Sequence, residues 1–147
     1  MTKNLLSAIN KQNGVAAIEF ALIAGIFFTT LIGILEMGRV LFYMNSAAEA
    51  TRFGARIAVV CDMNAAGIKA NMMQRLNILT NQNINVDYLP AGCSQATCKS
   101  INVAITGVSV ATFIPFVPDS VNAISLPSFN TSLPRESMDS TNNSLCT

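Results

Sequence analysis

The chain has no histidine anywhere in its 147 residues. That absence excludes a Ser–His or Cys–His nucleophilic pair and any His-ligated metal site. Charge is scarce as well: Asp, Glu, Lys and Arg make up 12% of the chain, against roughly 25% in an average soluble protein. The nine Lys and Arg nearly cancel the eight Asp and Glu, so no global electrostatic case exists for nucleic acid or an acidic partner. There is no glycine-rich phosphate loop, and Arg39, Arg52 and Arg56 are spread without interleaved aromatics. The late carboxylates Asp62, Asp87, Asp119, Glu136 and Asp139 form no close pair suited to acid–base work. The expectation is a chain that is not an enzyme and uses no cofactor and no metal.

What is present is a long apolar run. Residues 15–35 carry no charge except Glu19. A helix of that length covers roughly 31 Å, the thickness of a bilayer's hydrocarbon core. Lys3, Lys11 and the amino terminus precede it with no acidic residue, whereas Glu36, Arg39 and Glu49 behind it are mixed in sign. The positive flank belongs in the cytoplasm, which gives a single-pass topology with the N-terminus inside and the C-terminus outside. A cleaved secretory signal is the rival reading, but its apolar core is shorter, about 7–15 residues, and its Ala-x-Ala cleavage pattern lies just beyond. The nearest match here, Ala48-Glu49-Ala50, lies well past the end of the run.

After Leu35 the stretch "EMGRVLFYMNSAAEATRFGARIAVV" has no proline and is rich in Ala, Met and Leu, so one helix is expected from residue 15 to about 60. Val40, Met44, Ala47, Thr51, Ala55 and Ala58 mark one face at helical spacing, made mostly of small residues. Glu49 and Arg52 stand three apart on another face, with Arg56 a turn later. Gly33, Gly38 and Gly54 each weaken the helix by up to about 1 kcal/mol, so local melting is expected there. A second helix is expected near residues 64–81, where Ile68, Met72, Leu76 and Leu79 form a stripe facing the first helix.

Beyond Asn83 the pattern turns to strands. "INVDYL" alternates, and so does "SINVAITGVSV". In the second, Ile101, Val103 and Ile105 occupy odd positions and Val108 and Val110 even ones, which places a bulge or tight turn at Gly107. "FIPFVPD" reads as a proline-punctuated apolar loop, and "AISLPSF" and "TSLPR" as short edge strands. The polar tail from Ser137 needs a tether to be ordered. Two glycosylation-type sequons, at Asn130 and Asn142, fall in a chain rich in Asn and Ser and are read as chance.

Four cysteines, Cys61, Cys93, Cys98 and Cys146, all lie in the part placed outside the membrane, where an even count favours two disulfides. Three pairings are open; "CSQATC" closes most easily on itself, leaving Cys61 with Cys146. A four-thiolate zinc site lacks its paired C-x-x-C knuckles. The domain plan is therefore a leader at 1–14, a transmembrane helix at 15–35, its extra-membrane continuation at 36–60 and an α+β domain at 61–147.

Glu19 is the anomaly in this plan. A carboxylate at the centre of a membrane helix costs roughly 2.5–3.5 kcal/mol on insertion scales. One reading places it a helical turn inside the membrane edge, snorkelling into the headgroups. In the other it registers subunits: a cut after Gly14 makes Val15 a positively charged terminus, which pairs with Glu19 of a staggered neighbour. Ala17, Ala21, Ala24 and Gly25 permit the close helix contact this needs.

The stretch Gly14-Val15-Ala16-Ala17-Ile18-Glu19-Phe20 resembles the processing site of type IV pilin-like precursors, which a prepilin peptidase cuts after the glycine on the cytoplasmic side. Its continuation is similar to the TadE-like pseudopilins of tight-adherence (Flp) pilus systems. The resemblance rests on the Ala-Ile-Glu-Phe-Ala start, a Glu-x-Gly-Arg step at Glu36, Gly38 and Arg39, and the element Ala50-Thr51-Arg52-Phe53-Gly54-Ala55-Arg56. The Glu-x-Gly-Arg step favours TadE-like over TadF-like members. It implies a pilin-like α+β fold in which a long N-terminal helix is followed by a short helix and a small, mostly antiparallel sheet. It further implies a minor pilin held in the bacterial inner membrane with its C-terminal domain in the periplasm. Such a protein has the lipid bilayer, a prepilin peptidase, other pilins and the inner-membrane pilus assembly platform as partners, and takes part in assembly, priming or capping of the pilus. The chain is longer than major Flp pilins, which argues against the bulk filament subunit. An unprocessed, membrane-anchored periplasmic binding or adhesin domain is the alternative.

Overall fold

The structure is a computed structural model that describes the backbone of residues 3–112 and 123–147 and the side chains of residues 14–112 and 123–147. The expected apolar loop "FIPFVPD" lies outside the described residues. The chain divides into two compact units, Met1–Gly38 and Arg39–Thr147.

The first unit is helical. Helix α1 runs Lys3–Ala58, so it starts within the segment read as a leader rather than at residue 15. No proline interrupts the early residues, and one glycine at position 14 costs only about 1 kcal/mol relative to Ala, too little to end a helix of this length. Apolar side chains stand open around this unit, with Phe20 74% and Ile26 72% exposed. The hydroxyls of Thr29 and Thr30 donate to the carbonyls of Gly25 and Ile26, each at 2.8 Å, which satisfies them inside an apolar stretch. Among the described residues, Gly14–Ala58 is the one helix long and apolar enough to cross a membrane.

The second unit builds its core on the rest of α1. The face anticipated from spacing is the buried one: Ala47, Ala55 and Ala58 are fully buried, and Val40 and Thr51 nearly so. Helix α2, Ala66–Arg75, is shorter than the 64–81 expected. Leu76 at its C-cap is extended, and Thr80 donates through both its N–H and its hydroxyl to the Asn83 side chain. The Asn- and Thr-rich sequence thus turns the chain instead of prolonging the helix. Leu76 and Leu79 remain buried from outside the helix.

Among the described residues five strands follow: β1 Ile84–Leu89, β2 Ser100–Ile105, β3 Ser109–Ala111, β4 Ala123–Ser125 and β5 Phe129–Pro134. They form two antiparallel sheets, one ordered β1-β2-β5 and one pairing β3 with β4. Ile101, Val103 and Ile105 are buried, and so are Val108 and Val110. The parity switch between them falls at Gly107, whose φ of 68° is open to glycine at little cost. It is a tight turn that carries the chain from one sheet to the other. Pro134 ends an edge strand, where no ladder N–H is lost.

Both disulfides are present with the anticipated pairing, Cys61–Cys146 and Cys93–Cys98. The first anchors the tail over the end of α1. There the N–H groups of Glu136 and Met138 donate to Val59 O, and that of Asp139 to Val60 O at 2.8 Å. Val59 and Val60 form the turn just past Ala58, so the tail is bonded to the turn that follows α1. Gln95, in the small disulfide loop, donates to Asp62 and to Met138 O, and Arg135 donates to Gln95 O at 2.6 Å.

Candidate assembly helix

Gly14, Val15 and Glu19 all lie exposed on α1. Val15 and Glu19 are four residues apart, hence on one face and about 6 Å apart along the axis. Nothing lies within 4 Å of where a Cβ would sit on Gly14, Gly25, Gly33 or Gly38. This part of the helix presents open faces interrupted by small residues.

Farther along α1 the surroundings change. Arg39 donates through Nη2 to Ala111 O, which ties β3 to the helix. Glu36 is half-buried and Gly38 exposed. In the element from Ala50 to Arg56, Ala50, Thr51, Gly54 and Ala55 are buried, while Arg52 and Arg56 point to solvent. A Cβ on Gly54 would collide with Met72 Sδ and lie 2.9 Å from Met72 Cγ. That glycine, read from sequence as a point of helix melting, is the place where α2 seats. The helix is continuous through it, because the packing that the missing side chain permits outweighs a propensity cost of about 1 kcal/mol.

Sequence reasoning missed the contact beside it. The Arg75 guanidinium lies 4.0 Å from the centroid of the Phe53 ring, a cation–π arrangement that pins the end of α2 to α1. The only signal available was a half-exposed aromatic between two arginines, which names no partner. Gly67 was likewise unremarked. A Cβ there would lie 2.9 Å from Cys146 Cα and collide with Leu145 O, so the disulfide-bonded tail needs glycine beneath it.

Tyr88 is half-buried, and burial raises its phenol above the ordinary value, opposed in part by the hydrogen bond from the Asn64 N–H. Both disulfides occupy all four cysteines. Among the described residues, no group of three or more His, Cys, Asp or Glu is placed to hold a metal ion.

Residues 14–56 match the family of TadE-like proteins. The match opens on Gly14 and closes on Arg56; it includes Glu19, Glu36, Gly38, Arg39, Arg52 and Gly54, and covers under a third of the chain. No curated protein and no solved structure matches. Over residues 14–56, its long helix, the chain is similar to TadE-like proteins.

Proposed function

We propose that this is a minor pilin of a tight-adherence pilus, made as a membrane-held precursor and cut after Gly14. The observation that carries the reading is the coincidence of a TadE-like helix opening on Gly14 with apolar side chains left bare around Glu19. The protein is then the substrate of a peptidase, not an enzyme, and it works by helix packing. Opening the helix for cleavage is easiest at Gly14, where the backbone gains about 1 kcal/mol less from helicity than at Ala. The new amine of Val15 then sits in the membrane's cytoplasmic interface. Glu19 offers it a counter-charge across a staggered neighbour, and that pairing sets the axial register of subunits. The outer unit stays periplasmic, where its two disulfides form. Priming or capping suits a chain whose outer unit is this large relative to its helix.

A second reading keeps the leader and makes the chain an anchored binding or adhesin domain. The observation favouring it is that α1 is continuous across the Gly14–Val15 bond. The N-terminal sequence of the membrane-bound protein, read from cells with and without prepilin peptidase, separates the two. A mature start at Val15 that disappears with the peptidase is the expected result. A start at Met1 or Thr2 in both strains overturns the pilin reading.

A further inference from the structure

Strand β1 is an edge of its sheet, since the order is β1-β2-β5. Thr106 N–H donates to Asn83 O at 2.9 Å, and Arg135 N–H to Lys99 O at 2.9 Å. With the register Ile84↔Ile105 to Leu89↔Ser100, those bonds set the parity of the ladder. Asn85 and Asp87 turn their backbone groups to β2, and Ile84, Val86 and Tyr88 turn theirs outward. No described residue pairs with these outward groups. The strand has no proline and no lysine, two of the usual protections of a free edge.

Along this edge runs a cleft of about 660 Å³, walled on the far side by α2. Ala66, Lys69 and Met73 face Ile84, Val86 and Asp87 across it. Ile68, Met73, Ile84 and Val86 give the cleft apolar surface, and its ends differ in charge. Lys69 Nζ donates to Asn81 O at 3.2 Å, just ahead of the Ile84 end, and Asp87 lies toward the other end.

We infer that the cleft binds an extended peptide segment of a partner chain as a fourth strand, antiparallel to β1. The unpaired backbone donors and acceptors call for a peptide backbone specifically. Six residues of β1 span about 20 Å, room for a short segment and not for a helix laid on bare backbone groups. Charge gives the direction. An antiparallel segment has its N-terminal end near Asp87 and its C-terminal end near Lys69, so the fitting ligand carries a cation early and a carboxylate late. An apolar side chain between them meets Ile84 and Met73. All of these residues belong to the outer unit, and the inference holds whether or not the leader is removed.

The test is selection of short linear peptides from a random display library on the full chain in detergent micelles, with counter-selection on the Val86→Pro variant. Proline at an outward-facing edge position removes the free N–H and leaves the β1–β2 ladder intact. Selected peptides should place an acidic residue toward the C-terminal side and lose about tenfold in affinity on Val86→Pro. Lys69→Glu should reverse their charge preference, and amide exchange should slow at Ile84, Val86 and Tyr88. N-methylation of alternate peptide amides supplies the same discrimination if Val86→Pro does not fold. Equal enrichment on both chains, protection elsewhere, or edge-to-edge dimers of the chain itself in place of peptide binding would each overturn the proposal.

Discussion

Helix α1 has two different surroundings along one continuous backbone. In the unit Met1–Gly38 its large apolar side chains stand open, as at Phe20 and Ile26. In the unit Arg39–Thr147 its inward face is alanine at positions 47, 50, 55 and 58, each fully buried. The same helical spacing therefore meets two surroundings, and the open one is long and apolar enough to cross a membrane. Lipid accepts bulky side chains on every face, whereas a protein core on one side demands small ones so that α2 and the sheet approach closely. Glycine makes the contrast sharpest. Gly33 and Gly38 leave open space beside them, and Gly54 is filled by Met72.

The largest effect tests the bare unit. Glu19→Gln keeps shape and removes charge, so the precursor should still be cut after Gly14 while incorporation into pili falls to background. Mass spectrometry of the N-terminus, together with immunoblots of sheared pili, reads both steps. Normal incorporation would remove Glu19 from subunit registration.

Next in size come the disulfides of the covered unit. Cys61–Cys146 closes 85 residues of separation and Cys93–Cys98 closes 5. Chain entropy assigns about 4.6 kcal/mol to the first and about 2 kcal/mol to the second. Paired Ser replacements, followed by urea unfolding of the chain in micelles, should preserve that order. The Cys61/Cys146 replacement should also free the tail from the end of α1, seen as faster exchange at Glu136, Met138 and Asp139.

Glycine substitutions give a smaller and signed comparison. Gly67→Ala forces a methyl against the backbone of Leu145 and Cys146, which cannot yield as a side chain does. A loss of about 1–3 kcal/mol follows. Gly54→Ala meets the flexible but fully buried Met72 and should cost somewhat less, near the low end of that range. Gly38→Ala should stabilise by up to about 1 kcal/mol. Equal losses at Gly38 and Gly54 in thermal melts would erase the distinction between the two units.

The smallest effect is electrostatic. Burial holds the Tyr88 phenol above its ordinary value of 10.0, so the folded state retains its proton longer than the unfolded chain. That stability is present below about pH 10 and is lost as pH rises through the folded-state value. Alkaline melts of the parent chain should therefore fall more steeply than those of Tyr88→Phe.

Much of the covered unit was legible because its signals are local. The stripe at Ile68, Met72, Leu76 and Leu79, the alternation of β1 and β2 and the parity change at Gly107 all arise from side-chain periodicity within a few residues. Cysteine spacing carried the pairing, since "CSQATC" closes on itself. Three features were not legible. The early end of α2 depends on Thr80 and Asn83 turning the chain. The start of α1 at Lys3 depends on how little one glycine costs, and the bonding of the tail to the turn after α1 depends on residues far apart in sequence.

The sequence by itself determined the long helix, its apolar length against a bilayer and the lone carboxylate at position 19. Those properties follow from composition and period, which need no knowledge of neighbours. Only the tertiary structure decided which glycines are indispensable, which aromatic meets Arg75 and which strand keeps an open edge. Each of those depends on what a residue distant in the chain brings to within van der Waals or hydrogen-bond reach.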